Sequence, residues 1–161
     1  MTQNGKEITI KDLMRDPVFA YEGETLKEVL TRMIKERRNS LTVVAKDGTF
    51  KGAVSALDII KEVIPEYIEA DTVTAQYVNE ELFREDARRV AEKPVEEFMV
   101  TDIPTITLDT TLIEAAVIAI QHGRGRITVI DAGNKPIGVL TRTELKRVIG
   151  SYLDIEDTPS E

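Results

Sequence analysis

The chain has no cysteine, no tryptophan and a single histidine among its 161 residues. Without cysteine there are no disulfides, zinc–thiolate sites or thiol chemistry. The lone histidine, His122, stands beside Gly123 near a predicted helix end. A solvated or helix-capping role fits it better than catalysis, for which no partner nucleophile is visible. No run of about 18 apolar residues occurs, so no membrane-spanning helix is expected. The opening "MTQNGKEITIKDL" shows neither an apolar signal core nor a small-residue cleavage site, and a soluble cytoplasmic protein is the expectation. Positive charge is scarce: 21 Lys and Arg face 29 Asp and Glu, a formal net charge of −8. Such a field repels phosphate backbones and argues against general nucleic-acid binding. It leaves room for one small phosphorylated ligand in a locally basic pocket. Arg124, Arg126, Arg142, Lys146 and Arg147 make such a local excess. The acidic surplus lies at 66–86 and in the tail "DIEDTPSE", which is expected to fray. No metal-ligand cluster, catalytic triad or phosphate-transfer loop is legible, so an enzyme is not expected and no cofactor is required.

What the sequence does have is repetition. "GAVSALD" (Gly52–Asp58) and "GVLTRTE" (Gly138–Glu144) share one pattern: Gly, two apolar residues, a hydroxyl residue, two variable residues, an acid. A longer repeat surrounds them. Met14 matches Met99 at an offset of 85, whereas Thr25, Thr42 and Gly52 match Thr111, Thr128 and Gly138 at 86. A one-residue slip therefore falls between Met14 and Thr25. Each unit reads as a short extended piece, an amphipathic helix, two strands around a turn, and a closing helix. The first helix places Leu26, Val29, Leu30, Met33 and Ile34 on one face, and its counterpart Leu112, Ala115, Ala116, Ala119 and Ile120. The order is β-α-β-β-α, twice: repeat 1 at 8–64, a helical connector at 65–94, repeat 2 at 95–150, and an acidic tail at 151–161. In the connector, Asn79 reads as the cap of a helix with Leu82, Phe83, Ala87, Val90 and Ala91 on one side and an i,i+4 pair Glu85–Arg89. A turn or short helix is expected around Tyr67 and Ile68.

The repeated phrase has two readings. Ser55 with Asp58, and Thr141 with Glu144, fit a capping box, which accounts for the spacing with no ligand. The Gly would then permit a close backbone approach. Alternatively, a strand running into a helix presents free N–H groups and the helix dipole to an anion. A hydroxyl there can meet phosphate, and an acid one turn on can accept from vicinal ribose hydroxyls. Together these describe a nucleotide.

The unit resembles a cystathionine β-synthase (CBS) domain, and the chain a tandem CBS pair, or Bateman module, over nearly all of residues 8–150. "GAVSALD" fits the family phrase fully; "GVLTRTE" departs from it in its final Glu. The resemblance implies an α/β (α+β) fold of two repeats packed through their sheets, which binds an adenosine-containing ligand (AMP, ADP, ATP or S-adenosylmethionine) in the cleft between repeats. It also implies regulation of an unidentified partner and a homodimer. Carried onto this sequence, Asp58 holds ribose and Ser55 phosphate; Thr141 and Glu144 take the same places in the second unit. Val18, Phe19 and Ala20, with Ile103, Pro104 and Thr105, frame the adenine. Arg126 stands where relatives place a basic phosphate contact, and Ser40 is its uncharged counterpart. Glu144, one methylene longer than Asp, is expected to crowd the ribose or fold back onto the Thr141 N–H. The rival readings are a ligand-free assembly module and a nucleic-acid-binding pair, the second disfavoured by net charge.

Overall fold

Runs of β-branched residues between turn residues make the strands, and Ser or Thr three places before an acid starts the main helices of both repeats. The computed structural model describes residues 7–123 and 125–156, apart from the side chains of Tyr67 and Glu69. Arg124, the tail beyond Glu156 and the Tyr67 side chain, all singled out by the sequence, lie outside the described residues. The elements are α1 (Ile10–Leu13), β1 (Phe19–Tyr21), α2 (Leu26–Glu36), β2 (Ser40–Val44), β3 (Phe50–Ser55), α3 (Ala56–Val63), α4 (Glu66–Glu69), α5 (Thr72–Ala75) and α6 (Glu80–Val90). After a 3₁₀ turn at Val95–Glu97 come β4 (Thr105–Ile106), α7 (Leu112–His122), β5 (Arg126–Ile130), β6 (Pro136–Thr141) and α8 (Arg142–Tyr152). The fold class is α+β, as read.

Each repeat supplies a three-stranded sheet, β1-β2-β3 or β4-β5-β6. In both, the first pairing is parallel and the second antiparallel, with a register shift late in the middle strand, at Val43/Val44 or Val129/Ile130. The compact units cut across the sequence repeats. Val18–Thr101 forms one, called here the Asp58 unit; residues up to Pro17, together with those from Asp102 on, form the other, the Glu144 unit. The reason is an exchange of leading segments. Arg15 pairs with Val139 on β6, and Val100 pairs with Ala53 on β3, each through two backbone hydrogen bonds of 2.8–2.9 Å.

These pairings also place the one-residue slip. Arg15 and Val100 are equivalent at offset 85. The Val18 carbonyl accepts from Thr42 N, and the Pro104 carbonyl from Thr128 N, at offset 86. The extra residue therefore lies in the Thr101–Ile103 stretch, opposite Asp16 and Pro17. Consequently Pro104, Thr105 and Ile106 match Val18, Phe19 and Ala20, one residue later than the triad Ile103–Thr105 supposes.

Burial follows the periodicity, with corrections. In the Asp58 unit Ala20, Leu26, Val29, Met33, Leu41, Val43, Val54 and Ile59 form one core. Ile106, Ala115, Ile127, Val129 and Leu140, with Ile10 from α1, form the other. Met14 and Met99 pack against these cores, as expected of flexible fillers. Ile34 and Ile120, read as part of the buried faces, are 69% and 79% exposed. They sit a further 100° round from Met33 and Ala119, past the edge of the buried arc. In the connector, Asn79 Oδ1 caps α6 by accepting from Leu82 N at 2.9 Å. Val90 and Ala87 pack on the Asp58 unit's core, while Leu82 and Phe83 stay half exposed. Arg89 bonds Asp86 at 3.4 Å rather than Glu85, a three-residue reach in place of four. Helix α5 carries its own cap signal, Asp71 Oδ1 accepting from Val73 N, which the sequence reading passed over.

Candidate functional site

In both repeats the last residue of the third strand is also the cap of the closing helix. Ser55 has extended backbone (φ −113°, ψ 164°), and so has Thr141 (φ −122°, ψ 174°). Asp58 Oδ2 accepts from Ser55 N at 2.7 Å and Ser55 Oγ at 2.8 Å, while Ser55 Oγ accepts from Asp58 N at 3.2 Å. Glu144 Oε2 accepts from Thr141 N at 2.7 Å and from Thr141 Oγ1. The capping box is thus real in both copies, and the fold-back foreseen for Glu144 is shared by Asp58. Thr25 with Glu28 and Thr111 with Glu114 form the same box at the starts of α2 and α7. The box by itself is therefore no mark of a site.

Three features set the two β–α junctions apart. The first is the sheet face beside each. Ser40 lies directly across from Ser55, and Arg126 across from Thr141. Strand alternation puts Phe19, Thr42 and Ala53 on the same face as Ser40 and Ser55, opposite the core face of Leu41, Val43 and Val54. Thr105, Thr128 and Val139 share the face of Arg126 and Thr141. The second is burial of polar groups: Thr42 and Thr128 are fully buried. The third is the glycine. A Cβ on Gly52 would lie 2.3 Å from the Val100 carbonyl oxygen, and one on Gly138 2.4 Å from Met14 Sδ. The close approach expected at Gly is real, and it seats the exchanged segment.

The other residues singled out by the sequence separate into two groups. Phe19 lies on the Asp58 junction's face, whereas Val18 packs against the unit's core and Ala20 is buried within it, offering only backbone. Thr105 is exposed on β4; Pro104 is buried ahead of it, and Ile103 lies half-buried before the strand. Among the basic cluster, Arg142 is tied down, donating to the Gly123 carbonyl at 3.0 Å. His122 lies on the last turn of α7 with Nδ1 3.1 Å from the Ile118 carbonyl, a capping contact of the kind expected.

The two acids differ in surroundings. Asp58 is half-buried, and Oδ2 takes both of its bonds, leaving Oδ1 for an outside donor. Glu144 is 3% exposed, its Oε1 has no hydrogen-bond donor, and Arg15 Nε stands 3.8 Å from that oxygen. Arg15 escaped the sequence reading. The signal was present in the repeat: at offset 85 Arg15 falls opposite Val100.

Comparisons with known proteins identify the family and the fold. A sequence model described as "CBS domain" matches residues 10–65 and 95–151. The chain is 28% identical over 155 residues to an uncharacterized protein of Methanocaldococcus jannaschii, covering 88% of this chain and 91% of that one. It is 27% identical over 139 residues to a homoserine O-acetyltransferase of Methanocorpusculum labreanum, covering 86% of this chain but 23% of that protein. Among solved structures, a CBS domain-containing protein of unknown function from Kribbella flavida superposes with a TM-score of 0.74 at 18% identity, over 89% of this chain and 99% of that one. CBSX2, crystallised with AMP, gives 0.67 at 20% identity over 91% and 99%. The CBS domain pair of protein MJ0100, bound to 5′-methylthioadenosine and S-adenosyl-L-methionine, gives 0.67 at 20% over 90% and 98%.

Proposed function

This chain belongs to the CBS domain family, and from that premise we propose that it is a non-catalytic sensing module that binds an adenosine-containing ligand and relays its presence to a protein partner. AMP, ADP, ATP and S-adenosylmethionine are the candidates. CBSX2 with AMP and MJ0100 with 5′-methylthioadenosine and S-adenosylmethionine support the class of ligand. The observation that carries the reading is the Asp58 junction. There a half-buried carboxylate keeps one oxygen open beside a helix N-terminus, and the Ser55 and Ser40 hydroxyl positions lie across from each other on the adjoining sheet face. Ribose hydroxyls donate to Asp58, a phosphate oxygen accepts from the Ser55 hydroxyl in place of Asp58 Oδ2, and Phe19 borders the base. A ligand of this kind changes a partner's state only if it binds two conformations with unequal affinity.

Calorimetry with the four ligands tests this proposal. Wild type binds at least one of them, and Asp58→Ala, still folded by circular dichroism, loses about 1.5–3 kcal/mol of that affinity. Unchanged affinity would leave the capping box as the whole meaning of "GAVSALD".

The chain also acts as a homodimer in this proposal. Ile34, Leu57 and Ile60 on α2 and α3, and Ile113, Ile120 and Ile149 on α7 and α8, are all more than half exposed. So many outward isoleucines and leucines at helical spacing call for a covering surface, and two-fold self-association supplies one. Light scattering at tens of micromolar should show more than the 18.0 kDa species.

A further inference from the structure

The Glu144 junction carries a feature that its counterpart lacks. Glu144 is almost wholly buried, and Thr141 satisfies only Oε2. Oε1 is shut off from water and receives no hydrogen bond. A buried carboxylate oxygen in that condition is costly unless charge compensates it. The compensation comes from outside the repeat's own β–α–β–β–α stretch. Arg15 Nε lies 3.8 Å from Oε1, with half of the Arg15 side chain in solvent. Its backbone is clamped to Val139, each residue donating to the other at 2.9 Å. Met14, the preceding residue, fills the niche that Gly138 leaves open. The guanidinium is therefore delivered over the acid by a segment fixed at two adjacent points. In the Asp58 unit the equivalent clamp pairs Val100 with Ala53, and valine has no charge to offer Asp58.

We propose that the Arg15–Glu144 ion pair is a built-in lock on the Glu144 junction. Resting on the adenosine-ligand reading above, it makes Arg15 the residue that decides which junction accepts ligand. The carboxylate oxygen that would receive a ribose hydroxyl is covered and neutralised by Arg15, so the wild-type chain takes ligand at Asp58 and refuses it at Glu144. Shortening Glu to Asp does not open the junction while Arg15 stays in place. Removing Arg15 and shortening the acid together recreate the Val–Asp combination of the other unit.

The test uses the full chain and AMP, ADP, ATP and S-adenosylmethionine as probes. Asp58→Ala first weakens binding at the Asp58 junction by about tenfold or more. In that background, Glu144→Asp alone should leave the residual affinity unchanged. Arg15→Val with Glu144→Asp should restore saturable binding to within about threefold of wild type, and in the Asp58 parent the same pair should raise stoichiometry from one to two per chain. Restored affinity with Glu144→Asp alone, or no recovery in a folded double variant when wild type binds, overturns the lock. Should Arg15→Val fold poorly, Arg15→Gln keeps the polar stem without the charge and carries the same expectation. If wild type binds none of the probes, the ligand reading fails, and the lock is judged by denaturant unfolding alone. Arg15→Gln should then lower the folding constant at least fivefold when Glu144 is present and leave it unchanged in a Glu144→Gln protein. Equal losses in both would show that Arg15 and Glu144 do not act as a pair.

Discussion

The same seven-residue pattern makes a capped strand-to-helix junction in both units and then meets different neighbours. In both, a strand ends on a hydroxyl residue that caps the next helix, and an acid reaches back to the cap. In the Asp58 unit the Gly faces the backbone of Val100, and the acid is left half-open. In the Glu144 unit the Gly faces the Met14 side chain, and the acid is buried under Arg15. Duplication has preserved what is local, the cap and its spacing. What differs is set by the exchanged segment, Met14–Arg15 in one unit and Met99–Val100 in the other.

The glycines break this comparison most sharply. At Gly52 a methyl group would lie 2.3 Å from a carbonyl oxygen whose own residue is pinned to Ala53 by two hydrogen bonds. Backbone cannot step aside without losing that bridge, so Gly52→Ala should cost about 3 kcal/mol in denaturant unfolding. At Gly138 the obstacle is the Met14 side chain from Cβ to Sδ, and methionine is the most adaptable of apolar side chains. Gly138→Ala should cost about 1 kcal/mol, and Met14→Ala should recover part of it because the new methyl then occupies vacated space. Equal costs at the two glycines would mean that the exchanged segments are held alike.

How much of this was legible follows the same division. The strands, the apolar faces of the first helices and the caps of the closing helices came from apolar runs around turns, helical spacing and hydroxyl-acid pairs, all within a dozen residues. The outer limits of the buried arcs at Ile34 and Ile120 did not, because which side of a helix is covered depends on what packs there. Arg15 was invisible as a site residue for a related reason. It lies 129 positions from Glu144, and only the edge pairing with Val139 brings the two together. The triad expected to frame adenine was set one residue early in the second repeat, because the insertion falls in an irregular stretch where no periodicity marks the register.

The smallest expected effect separates the units by pH. The turn between β1 and α2 is closed by Glu24, which accepts from the Tyr21 N–H and holds Arg32 by two bonds of 2.8 and 2.6 Å. At offset 86 the Glu144 unit has Thr110 and Ile118 in those places, and Thr110 Oγ1 accepts from the Thr107 N–H at 3.2 Å. One turn is closed by a titrating group and the other by a hydroxyl. Burial alone would raise the Glu24 pKa, but the Arg32 guanidinium and the Tyr21 N–H outweigh it, and the carboxyl lies below its ordinary 4.5. A depressed folded value means that the contribution is complete above pH 4.5 and is lost as pH falls through the folded pKa. The pair is partly solvated, so about 1 kcal/mol is the most it can supply. Amide exchange should show Tyr21 losing protection in acid before Thr107 does. The Glu144 unit has an acid-sensitive group of its own in Glu114, whose pKa is lowered by the Thr111 backbone N–H and hydroxyl, so the start of α7 is not the place to look. Glu24→Gln should remove the pH dependence at Tyr21 and leave Thr107 as it was. Parallel loss at both amides would show that acid acts on the two units through something other than this turn.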